Sequence, residues 1–292
     1  METERKMMQA FHGDTAAKSQ LLDRLRVYAE AGAIINADNV WKDGKGSPVG
    51  CVVESTDLGL WPQRTGMPKA LGCALDHVAK NLGSPRNAGL FVVEWIDAVP
   101  VGENMCGVAH ELIGWLLTDP EHGVLRLAST ETARQSVCRV AEMHRRGAAG
   151  QAPAAADWAE VRGAILAVPA PGDKDRTQQW VMAAAESAAW NPETAATVIA
   201  DTLRAWSLLG AARRAVAKPA DSAQLTRDTQ PQIPLPKAPA PDGLTKPGID
   251  MNKLRDAFFA EMMRLAQLEH QKVAKAMLDF TRRSAAPAMD AR

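Results

Sequence analysis

Apolar residues recur at intervals of three and four along most of this chain, the spacing that gathers them on one face of a helix. Leu21, Leu22, Leu25 and Tyr28 follow Asp14-Thr15, an N-cap signal, and predict a first helix over about 15–35. Leu71, Leu75, Val78 and Leu82 follow Gly66-Met67-Pro68 and predict a helix that stops near Gly83. Further helical segments are predicted at about 86–98, 104–117 and 130–148, broken by Pro100, by Asp119-Pro120 and by Gly147 to Gly150. The stretch from Asn36 to Gly50 reads as a loop because it is dense in Asp, Gly, Ser and Pro. Val49 to Val53 fits either a short strand or the opening turn of a buried helix. Consecutive helices with short connections predict a mainly α fold, a multi-helix bundle rather than a sheet.

The pattern changes three times beyond residue 150. From Pro153 to Leu209 it becomes Ala-rich with Trp158, Trp180, Trp190 and Trp206 spaced along it. Alanine lets helices approach closely and tryptophan fills the gaps left, so two or three packed helices are expected, as a subdomain or as the second half of the bundle. Residues 216–249 are proline-rich, with Pro231, Pro234, Pro236, Pro239 and Pro241 in the densest part, and predict a solvated, disordered linker. After Pro247-Gly248 a helical stripe runs through Met251, Leu254, Phe258, Phe259, Met262, Leu265, Leu268, Val273, Met277 and Phe280. The domain order expected is therefore 1–150, 151–215, linker 216–249 and a separate amphipathic helix over 250–285.

A lone amphipathic helix must bury its stripe to be stable. Its cover is the protein's own body, a second copy, another protein or a membrane. The polar face carries both signs of charge, which disfavours the membrane. Glu261 and Lys272 interrupt the heptads, which disfavours a long coiled coil. The ten stripe residues are thus the candidate partner-binding surface.

Charge and composition narrow the function further. Lys plus Arg and Asp plus Glu are equal at 34 each, so no strong field steers a polyanion and nucleic acid is not favoured. The four cysteines, Cys51, Cys73, Cys106 and Cys138, form no CxxC pair, which fits reduced thiols in a cytoplasmic protein. The amino-terminal Met1-Glu2-Thr3-Glu4-Arg5-Lys6 is followed by no apolar run, and no stretch reaches the ~20 residues of a membrane span, so neither a signal peptide nor a transmembrane segment is expected.

Candidate chemistry is sparse. His110-Glu111 opens like a zinc-protease motif, but Gly114 stands where the second histidine belongs, so no metal and no cofactor is expected and the pair reads as a partly exposed helix face. Glu121 and His122 read as a polar turn that caps the next helix. Gly44-Lys45-Gly46-Ser47-Pro48-Val49-Gly50 fails both the Walker and the dinucleotide spacing and reads as a structured turn. Cys51, with His12 as base and Asp14 as orienting acid, is the candidate catalytic combination.

Ala10-Phe11-His12-Gly13-Asp14, Val49-Gly50-Cys51, Val99-Pro100-Val101-Gly102 and Leu117 to Val124 resemble blocks of an uncharacterised bacterial family, and the Ala/Trp helices look like those of proteins labelled immunity proteins. Ser47 stands where the resemblance implies a cysteine. The resemblance carries no established activity and implies at most a role in immunity or phage conflict. The expectation is a non-enzymatic interaction protein whose tethered helix mediates self-association or partner capture. The alternative is an enzyme or small-ligand protein built around Cys51 and the histidines of the first 150 residues.

Overall fold

Capping side chains set where the helices begin. In the computed structural model, which describes residues 8–169, 176–210 and 251–284, Asp14 accepts from the amides of Ala16 and Ala17 and opens α1 (Thr15–Glu30). Ser47 caps α2 (Pro48–Val53), Ser84 caps α5 (Pro85–Ala98) and Thr130 caps α7 (Glu131–Ala148), each accepting from the amide three residues on. Pro48 and Pro85 occupy the first turn, where a missing N–H costs nothing. Among the described residues the remaining α-helices are α3 (Leu60–Thr65), α4 (Lys69–Lys80), α6 (Cys106–Thr118), α8 (Ala155–Leu166), α9 (Arg176–Ala188), α10 (Val198–Leu208) and α11 (Met251–Ser284). The mainly α expectation holds. The expected linker, 216–249, lies outside the described residues, as do the side chains of Met251, Leu254, Phe258, Phe259, Met262 and Leu265.

Two boundaries differ from expectation for a shared reason. Helix α1 ends at Glu30 rather than near 35, because the backbone of Ala33 accepts from the Gly46 amide at 2.9 Å and the Ile35 amide donates to the Gly46 carbonyl at 2.8 Å. Those bonds draw the chain onto a two-residue hairpin, β1 (Trp41–Lys42) against β2 (Lys45–Gly46), inside what reads in sequence as plain loop. Asp43 and Gly44 both have positive φ, 51° and 74°, the signature of a type I′ turn. Val49 to Val53, open between strand and helix, is the buried helix α2.

Asp76 of α4 holds this region to the bundle. One carboxylate oxygen accepts from the Val49 amide at 2.7 Å and the other from the Asn39 amide at 2.8 Å. Burial pushes its carboxyl up to about 6, while those two amides and the Ser47 hydroxyl pull it back down.

Helices α1 to α10 share one continuous core, in which Trp61, Trp95 and Trp206 are the largest fully buried side chains. The Ala/Trp helices α8 to α10 complete the bundle: α9 packs on α7, and α10 on α4 and α6. Trp158 and Trp206 fill gaps as expected, and the Trp206 indole donates to the His122 carbonyl at 2.9 Å. Trp180 and Trp190 do not: they are 37 % and 44 % exposed, and the Arg162 guanidinium lies 3.6 Å over the Trp190 ring. No helix among the described residues is long and apolar enough to cross a membrane.

Candidate functional site

The residues proposed for thiol chemistry are engaged separately. Cys51 is 0 % exposed, and its thiol faces the Gly46 carbonyl at 3.4 Å. Burial pushes the thiol up to about 12, so no useful thiolate forms near neutrality. The His12 Nε2 lies 2.8 Å from the Gln63 carbonyl, and Asp14 spends its carboxylate on the cap of α1. His12 and the buried Phe11 sit in the left-handed region, φ 55° and 54°, where Phe11 anchors the turn in the core. Glu121 and His122 form the expected polar turn, their amides donating to Asp119 at 3.0 and 2.7 Å, and the His122 ring tilts against Trp115.

The C-terminal helix is where buried polar groups and apolar residues converge. From residue 267 onward α11 lies on α4, α5 and α6, with Val273 and Met277 fully buried and Leu268 turned outward, 42 % exposed. For these residues the cover is the protein's own body. Phe280 is half-buried beneath the Arg283 guanidinium, 4.7 Å from its ring. The Trp95 indole of α5 donates to the Thr281 hydroxyl at 3.0 Å, and that hydroxyl donates in turn to the Met277 carbonyl at 2.8 Å. At the rim Arg282 pairs with Glu94 at 2.7 Å and Arg283 with Glu111 at 3.6 Å. Toward the other end of the contact the Gln267 amide reaches the Leu82 carbonyl at 3.3 Å. Hydrophobic burial supplies most of the attraction here, and the Trp95–Thr281 bond fixes the register, because neither group has water to fall back on.

Two buried histidine pairs lie in this half of the molecule, and neither is visible in the sequence. His110, expected on a partly exposed face, is 1 % exposed, because α6 is apolar nearly all round and is enclosed by α7, α10 and α11. Its Nδ1 is 2.9 Å from Nδ1 of His144, whose Nε2 is 2.8 Å from the Ala188 carbonyl. A carbonyl only accepts, so His144 carries its proton on Nε2, its Nδ1 accepts, and His110 donates from Nδ1. Trp158 packs on both rings, and a Cβ at Gly147 would sit 2.4 Å from the His110 ring, so glycine makes the room. Burial lowers His144 to about 3 and His110 to about 4, leaving both neutral.

The second pair joins the body to the terminal helix. Nε2 of His77 on α4 is 3.4 Å from Nε2 of His270 on α11, with both rings buried. Nδ1 of His77 is buried and has no hydrogen-bond partner among the described residues. Burial first, then His270, Lys80 and Arg204, hold His77 down at about 3, against a smaller opposing pull from Asp38. Among the described residues no group of three or more His, Cys, Asp or Glu side chains is placed to hold a metal ion.

Comparison with protein-family models, with curated proteins and with solved structures gives no match to this chain. The geometry of the body–helix contact is therefore what a functional reading starts from.

Proposed function

We propose that this chain is a non-enzymatic interaction protein whose C-terminal helix is an exchangeable docking element and whose α4–α5–α6 face is its receptor. The observation that carries the reading is the docked helix itself: Val273, Ala274, Met277 and Leu278 of α11 join the core built by α1 to α10, although residues 211–250 stand between them in sequence. The face that accepts α11 in one chain fits α11 of a second copy equally well. A long connection keeps the entropic difference between the two arrangements small, the usual condition for exchange between copies. The burial of Cys51, and the engagement of His12 and Asp14 with other partners, favour binding over thiol catalysis. A place in bacterial immunity or phage conflict rests on the resemblance of the Ala/Trp helices alone, and a pull-down tests it.

The solution mass of the full chain, compared with that of a chain ending at Lys218, tests the docking role. Concentration-dependent dimers of the full chain that disappear on truncation support exchange. Monomers for both chains at every concentration would remove the self-association part of the proposal.

A further inference from the structure

We infer that the docked helix is held by an acid-sensitive latch, in which proton uptake by the buried His77–His270 pair releases α11 from α4, α5 and α6. The inference rests on the docking reading above and names its regulation. Its basis is geometric. The two imidazoles meet edge to edge across the junction at 3.4 Å, a distance that accommodates one shared proton at most. The remaining His77 nitrogen faces no acceptor among the described residues, so a second proton on that ring would be buried without a partner.

Among the described residues, the charged groups that act on His77 or lie next to the pair in sequence are engaged with other partners. On α4, Lys80 is positive and already paired with Asp38 of the preceding loop. From α10, Arg204 adds a second positive charge and is paired with Asp201. On α11 itself, Glu269 is paired with Lys272. Asp76, the neighbour of His77 in sequence, spends both oxygens on the Val49 and Asn39 amides. Asp38 is the carboxylate that draws His77 toward its charged form, and its pull is the smallest of the influences on that ring.

The sign follows from which state holds more protons. Released, His77 regains an ordinary value near 6.5; docked, it sits at about 3. The released form therefore binds more protons between those limits, so docking is complete above about 6.5 and weakens as the pH falls toward 3. For each histidine that gains a proton only on release, docking weakens about tenfold between pH 7.5 and 5.5.

The test uses the full chain labelled with 15N-tryptophan. Solvent exchange of the Trp95 indole, corrected for intrinsic rate, reports the bond to Thr281, and the Trp206 indole bonded to His122 reports the body. The latch predicts a Trp95 indole protected at pH 7.5 and at least tenfold less protected at pH 5.5, where it is also less protected than Trp206, whose exchange reports unfolding of the body. His77→Gln should restore most of the protection at pH 5.5. An unprotected Trp95 already at pH 7.5 would instead refute the docking itself. Equal Trp95 protection at both pH values, a Trp95 indole as protected as Trp206 at pH 5.5, or no rescue by His77→Gln would each overturn the latch, the last by assigning the acid response to another group.

Discussion

The two buried histidine pairs use the same side chains for opposite purposes. His110 and His144 close a chain of bonds that ends on the Ala188 carbonyl, sealed by Trp158 and Gly147 within the bundle. His77 and His270 meet at longer range, across the seam between body and terminal helix, with one nitrogen left over. A satisfied buried pair costs little and makes a permanent joint, whereas a half-satisfied one sets a small margin that a proton can reverse. On the docking reading proposed above, the first pair keeps the body closed and the second lets the helix contact open.

The largest effect should come from breaking the closed pair. His144→Ala opens a cavity beside Trp158 and strands the His110 Nδ1–H, a loss of about 3 kcal/mol in global unfolding by denaturant. Acid should then show where the pair's neutrality matters. His144 is held at about 3 when folded against about 6.5 when unfolded, so its contribution is intact above 6.5 and declines below it, by ~2 kcal/mol at pH 5. Urea titrations at pH 7.5 and 5 measure this, and His144→Leu should reduce the response to the share that His110 carries. Gly147→Ala ranks next. Helix propensity alone would gain up to ~1 kcal/mol, but the added Cβ meets a His110 ring that cannot swing away, and overpacking of this kind costs about 1–3 kcal/mol. A net loss in thermal stability is expected.

At the seam the effects should be local. Thr281→Val keeps the shape but leaves the Trp95 indole without an acceptor, which weakens docking by about 1–3 kcal/mol and leaves the body's unfolding midpoint in place. Hydrogen exchange of α11 amides against α6 amides separates the two. Arg282→Ala removes an ion pair whose partners are both half-exposed, and should cost under about 1 kcal/mol.

The fold was legible where local chemistry decides it. Asp14 announces α1, Gly147 to Gly150 close α7, and the apolar spacing gives the helical class, whereas the caps Ser84 and Thr130 emerge only in the structure. Asp43-Gly44, a strong hairpin signal, was present too, but the strands beside it are two residues each and carry no alternation to recognise. The candidate site was legible in half: the stripe containing Val273 and Met277 marks a buried face without saying what covers it. The histidine pairs left no trace, because 34 and 193 residues separate their members and a helix as apolar as α6 does not show which side faces inward. Trp180 matches Trp158 and Trp206 in sequence context and differs in which side of its helix the neighbours occupy, while Trp190 falls just past the end of α9.

The central claim, that α11 is a docking element a second copy can receive, is tested most directly by mixing two variants. One carries Glu94→Cys on the receptor face and the other Arg282→Cys on the helix, positions that touch in the docked state. With wild-type chain as control for Cys73 and Cys138, a short thiol cross-linker should join the two variants into a mixed dimer, and should link Glu94→Cys to Arg282→Cys within one chain when both are present. An intrachain product without any mixed dimer, even after prolonged incubation at high concentration, would show a helix confined to its own body and would contradict the account.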